Sequence, residues 1–98
     1  MALHSEARVA LSAPRRYLGQ LCKHFAHKVP AQCEERTGRI EFPFGLCELE
    51  APGEDMLILR VSAAEEEALA QLEGVVGRHL ERFAFREPPE IRWTRGTP

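Results

Sequence analysis

The sequence predicts an α+β fold, a two-layer sandwich in which two helices cover one face of a mainly antiparallel sheet. Three observations predict it. Two segments carry apolar residues at three-and-four spacing, so each is a helix with one buried stripe. Five short segments alternate apolar and polar residues and a sixth is a short apolar run between turn signals, so six strands are expected. Four of the strands are consecutive and joined by short turns, which makes them an antiparallel meander. The expected order is β-α-β-β-β-β-α-β, and placing both helices on the same sheet face buries every apolar stripe at once.

The first strand is expected over residues 6–11, where Ala7, Val9 and Leu11 share a side. Ser12 and Pro14 mark a helix start, since proline is tolerated in the first turn. Tyr17, Leu18, Leu21, Cys22 and Phe25 then outline an amphipathic helix over about residues 13–28, stopped by Pro30. The meander follows as strands 31–35, 39–42, 46–51 and 56–61. Its turns are Arg36-Thr37-Gly38, Phe42-Pro43-Phe44-Gly45 and Pro52-Gly53-Glu54-Asp55. Met56-Leu57-Ile58-Leu59-Arg60-Val61 is the most hydrophobic strand and is expected to be central. Ser62-Ala63-Ala64-Glu65 has the form of a capping box. It opens a long helix whose stripe is Leu69, Leu72, Val76, Leu80 and Phe83. After Pro88-Pro89, residues 90–93 alternate as a last strand, and residues 94–98 read as a frayed tail. The open sheet face would carry Arg8, Arg39, Glu41, Glu48, Glu50, Arg60 and Arg92.

The 98 residues suit a single domain spanning 1–98, and the composition (44% hydrophobic, 29% charged) is that of a globular chain. The net charge of −2 builds in no attraction to nucleic acid or anionic lipid. No apolar run approaches the roughly 20 residues that span a bilayer. The first residues lack the basic stretch and apolar core of a signal peptide, so a cytoplasmic location is expected, without nucleic-acid or membrane partners. Cys22, Cys33 and Cys47 show no CxxC spacing, fall on inward faces and are expected as free thiols.

The densest chemical cluster is Cys22-Lys23-His24-Phe25-Ala26-His27-Lys28. On a helix Cys22 and His24 point about 160° apart and cannot share an ion. His24 and His27 share a flank and could offer two imidazoles to a metal, although histidines near a helix C-terminus also suit the dipole without one. His79 falls within the apolar stripe of the second helix, beside Val75, Val76 and Phe83. Its ring should be partly buried and hydrogen-bonded, and side-by-side helices would bring it towards His24. Phe44 sits at an aromatic turn, where an exposed ring would form an interface or a ligand lip. No nucleophile elbow, phosphate loop or carboxylate pair is present.

The segments CKHFAHK (22–28), GRIEFPFGLCELEA (38–51) and HLERFAFRE (79–87), with Trp93, resemble a family of small bacterial proteins known as a domain of unknown function, number 2218. The resemblance covers nearly the whole chain and transfers no catalytic residue. It implies an association of some relatives with siderophore-interacting flavin reductases, joined in one chain, and hence a role near iron or haem.

Three readings follow. The first is a binding or accessory domain for iron, haem or siderophore handling, with His24, His27, His79 and Phe44 as candidate ligand contacts and His24 and His27 as candidate metal ligands. The cofactor itself stays unknown. The second is a partner-binding module with no small ligand, such as a homodimer, since small two-layer domains often pair through exposed edges. The third is a small-pocket enzyme using His79 and Cys22, for which no nucleophile, base and oxyanion site is assembled.

Overall fold

The structure, a computed structural model, describes residues 2–96. Its elements are β1 (Leu3–Ala10), α1 (Pro14–Ala26), β2 (Ala31–Cys33), β3 (Thr37–Phe42), β4 (Gly45–Glu50), β5 (Met56–Ala63), α2 (Glu66–Phe83) and β6 (Thr94–Gly96). The order is the expected one. The strands form a single antiparallel sheet in the order β2-β3-β4-β5-β1-β6. The apolar strand β5 lies inside it, between β4 and β1.

Alternation decides which face is covered. Ala7, Val9, Ile40, Cys47, Leu49, Leu57, Leu59 and Val61 point at the helices and are buried. Leu18, Leu21 and Cys22 of α1 and Leu69, Leu72, Val76 and Leu80 of α2 meet them in one continuous core. Each fully buried leucine there stabilises the fold by about 1.5–3 kcal/mol. The opposite face carries cross-strand ion pairs: Arg60 with Glu6 at 2.9 Å and with Glu50 at 3.2 Å, and Arg39 with Glu48 at 3.8 Å.

The β3–β4 hairpin closes on Pro43 and Phe44, with Phe42 paired to Gly45. Gly45 is required for close approach. A Cβ there would stand 2.5 Å from both the Ser62 carbonyl oxygen and Leu72 Cδ1.

Four expectations are corrected. Residues 90–93 are not a strand. Ile91 and Trp93 pack half-buried beside Gly77 of α2, so their alternation records contact with a helix, not strand pairing. Arg92 pairs with Glu90, and the two line a shallow surface groove with Arg8 and Ala10 of β1. The strand comes later: Thr94–Gly96, expected to fray, pairs with His4–Glu6 of β1. Residues 97 and 98 of the expected tail lie outside the described residues.

Nor does Ser62 begin a capping box. Pairing of Leu3–Ala10 with Met56–Ala63 carries β5 through Ser62, and α2 starts after an extended Glu65. The three cysteines are also not all free. Cys22 and Cys33 form a disulfide, and Cys33 is exposed, not inward. The eleven-residue separation gives no local motif, but β2 packs beside α1 and brings the two Cα atoms to 5.8 Å. Cys47 is a free, buried thiol, and burial followed by the Glu48 charge pushes it up to about 12. No helix among the described residues is long and apolar enough to cross a membrane.

Candidate functional site

The site arises where the flanks of the two helices meet. The α1 stripe of Leu18, Leu21, Cys22 and Phe25 faces the sheet, which turns His24 sideways towards α2. On α2, Leu72, Val76 and Leu80 face the sheet, and His79 lies on the flank towards α1. The two imidazole rings stand 5.0 Å apart, centre to centre. Phenylalanines enclose them: Phe25 lies 4.8 Å from His79, and Phe83 lies edge-on at 5.7 Å from His24. Phe42 continues the row at 5.0 Å from Phe25, and Phe44 follows at 5.5 Å from Phe42.

The two imidazoles differ in how they are held. His79 Nδ1 lies 2.7 Å from the Val75 carbonyl oxygen, one turn earlier on its own helix. A carbonyl only accepts, so Nδ1 carries a proton, and in the corresponding neutral tautomer the lone pair lies on Nε2. His24 is half-buried, yet its Nε2 is sealed from solvent and has no hydrogen-bond partner. The Gln20 side-chain oxygen, one turn earlier on α1, is in the same condition. Burial first, then the charges of His79, Lys28, Arg82 and His27, holds His24 below the usual imidazole value of 6.5. The unprotonated ring, with a nitrogen lone pair, is thus favoured.

Each candidate from the sequence can be placed. His24 and His79 come together, Phe44 joins their aromatic row, and Cys22 faces the core. His27 is the exposed residue that ends α1 and does not join the row of rings. The geometric partner of His24 is therefore His79. Among the described residues no group of three or more His, Cys, Asp or Glu side chains is arranged to hold a metal ion. Two imidazoles alone could bind one, leaving coordination positions open.

Sequence reasoning missed a second polar cluster. Ser5 is 2% exposed, and its hydroxyl donates to Glu73 Oε2 at 2.6 Å. Arg95 donates to both Glu73 oxygens, at 3.0 and 3.3 Å, and to Glu66 at 3.2 Å. A serine on the buried side of an alternating strand was the available signal.

The pattern of a family described as an uncharacterized protein conserved in bacteria (DUF2218) matches residues 6–94. This chain belongs to that family. Within the DUF2218 segment lie His24, His79 and every phenylalanine of the aromatic row. The chain is also similar to PA4090 from Pseudomonas aeruginosa, known from an NMR structure. The sequence identity is 34%, the TM-score is 0.80, and the match covers 94% of this chain and 95% of that one. No curated protein matches the chain. Neither similarity carries the siderophore-reductase association that the sequence resemblance implied.

Proposed function

We propose that this DUF2218 domain is a binding module, and that the His24–His79 pair takes a transition-metal ion, either free or as the iron of haem. One observation carries the reading: a solvent-sealed imidazole nitrogen without a partner, on a ring 5.0 Å from a second imidazole. Leaving such a nitrogen unpaired costs about 1–3 kcal/mol, and a ligand that accepts its lone pair would recover that cost. The His79 Nδ1–H bond to a carbonyl is the kind of contact that orients a metal-ligating histidine and raises its basicity. A free ion would use both rings. A haem iron would use one, with Phe42, Phe44 and Phe83 offering apolar surface to the porphyrin.

Calorimetry with zinc and ferrous ions, and absorption spectroscopy with haem, test the proposal and separate its two sources. His24→Leu and His79→Leu should each weaken binding at least about tenfold, the scale of lost support around a metal ligand. His27→Ala and His4→Ala should leave it unchanged. Binding no tighter than roughly millimolar, or binding lost in His27→Ala alone, contradicts it.

Phe85 favours a second reading. It is 68% exposed, with the Arg86 guanidinium 5.5 Å from its ring centre. An exposed phenylalanine beside an arginine suits an interface, here with a second copy of the chain. Concentration-dependent sedimentation that Phe85→Ser abolishes would support a dimer. A monomer at high concentration would exclude it.

A further inference from the structure

The Cys22–Cys33 disulfide joins two very different places. Cys22 is wholly buried, with its sulfur beside Gly38. Cys33 ends the edge strand β2 and is exposed. Its side opens into a shallow groove of about 480 Å³, which Arg15, Arg16 and Lys23 of α1 line together with Glu34 and Glu35. Glu35 pairs with Arg15 at 2.5 Å, and Glu54 also lies near Arg15 at 3.8 Å. Arg16 and Lys23 make no ion pair among the described residues and neither does Glu34, so the groove beside Cys33 keeps a net excess of one cation.

We infer that Cys33 is a thiol-exchange and modification site for small anionic thiols of the glutathione class. The external thiolate attacks Cys33 Sγ, the only sulfur of the pair it can reach. A mixed disulfide forms on Cys33, the Cys22–Cys33 bond breaks, and its electron pair leaves on Cys22 Sγ, which takes up a proton. A second thiolate then attacks the sulfur of the first thiol, releasing the Cys33 thiol and the small-molecule disulfide. The small thiol is the reductant and no other reactant is needed. Arg16 and Lys23 concentrate the negatively charged thiol and favour its carboxylates at the groove. Reduction frees β2 from its covalent tie to α1. This exchange is independent of the histidine pair.

The experiment uses the whole oxidised protein and follows its reduction by reduced glutathione. Samples are quenched with an alkylating agent and mapped by peptide mass spectrometry. Cys22→Ser exposed to oxidised glutathione should carry one adduct, on Cys33. Cys33→Ser should carry none on Cys22. In the otherwise unaltered protein, Arg16→Glu with Lys23→Glu should slow reduction by glutathione about three- to tenfold at low ionic strength, and less at high salt. The rate with 2-mercaptoethanol, whose attacking thiolate carries one negative charge and no carboxylate, should fall by a clearly smaller factor. Circular dichroism checks that each variant is folded. An oxidised protein without the Cys22–Cys33 bond, an adduct on Cys22, or equal slowing with both thiols overturns the proposal.

Discussion

Where β6 meets α2, Ser5, Glu73 and Arg95 satisfy one another. Where α1 meets α2, His24 and Gln20 place polar atoms inside without partners. Both regions put polar chemistry at the margin of the same apolar core, with opposite outcomes. The Glu73 cluster ties the last strand to β1 and α2, and every hydrogen bond in it joins two parts of the fold. Burial works against the Glu73 carboxylate, but the Arg95 and Ser5 hydrogen bonds and the Arg95 charge outweigh it and hold its pKa below 4.5. At His24 burial is unopposed, and the same physics disfavours the charged ring. A satisfied cluster contributes to architecture. An unsatisfied one detracts from it, and so fits a place kept for a ligand.

The largest effect is expected where the polar groups are fully paired. Glu73→Ala strands the buried Ser5 hydroxyl and unpairs Arg95. It should lower stability by about 2–3 kcal/mol in urea unfolding. Amide exchange should rise in β6 and in the His4–Glu6 stretch that pairs with it. A loss under about 0.5 kcal/mol would make the cluster incidental.

On the α1–α2 side, His24→Leu removes the unpartnered nitrogen and should leave stability unchanged or raise it by about 1 kcal/mol. A clear destabilisation would mean that the imidazole is structural. His79→Leu should fall within about 1 kcal/mol of the parent, because the Val75 carbonyl keeps its backbone bond within α2. Smallest of all is Arg39→Ala. Its partner Glu48 stands 3.8 Å away and both side chains are about half exposed, so unfolding should shift by less than about 0.5 kcal/mol.

Acid should separate the two regions. His24 is depressed below 6.5 in the fold, so the unfolded chain binds more protons in the interval just below that value. Its contribution is therefore full above 6.5 and lost as pH falls through that interval. Glu73 is depressed below 4.5, so its contribution persists above 4.5 and is lost only at lower pH. Urea midpoints measured from about pH 3 to 8 should show His24→Leu removing the upper descent and Glu73→Ala the lower.

Much of this was legible in the sequence because period-2 and period-3.6 patterns report directly on buried faces. The element order, the inner position of Leu57 and Leu59, and the approach of His79 to His24 all follow from them. What stayed hidden depends on distant partners. Ile91 and Trp93 alternate like a strand but pack on Gly77. Ser62 resembles a cap but is held in strand pairing. Cys22 and Cys33 meet only because β2 lies beside α1. The His24–His27 pair was suggested by closeness in sequence, whereas the cluster is completed from the other helix.

The most direct measurement is a ring-nitrogen NMR titration of the four histidines with zinc, repeated with haem. The account predicts that free His79 carries its proton on Nδ1. It also predicts that added ligand shifts the Nε2 resonances of His24, His79 or both, while His4 and His27 stay in place. Unmoved His24 and His79 at roughly millimolar ligand, or uniform shifts across all four rings, would contradict the claim that this pair is a binding site.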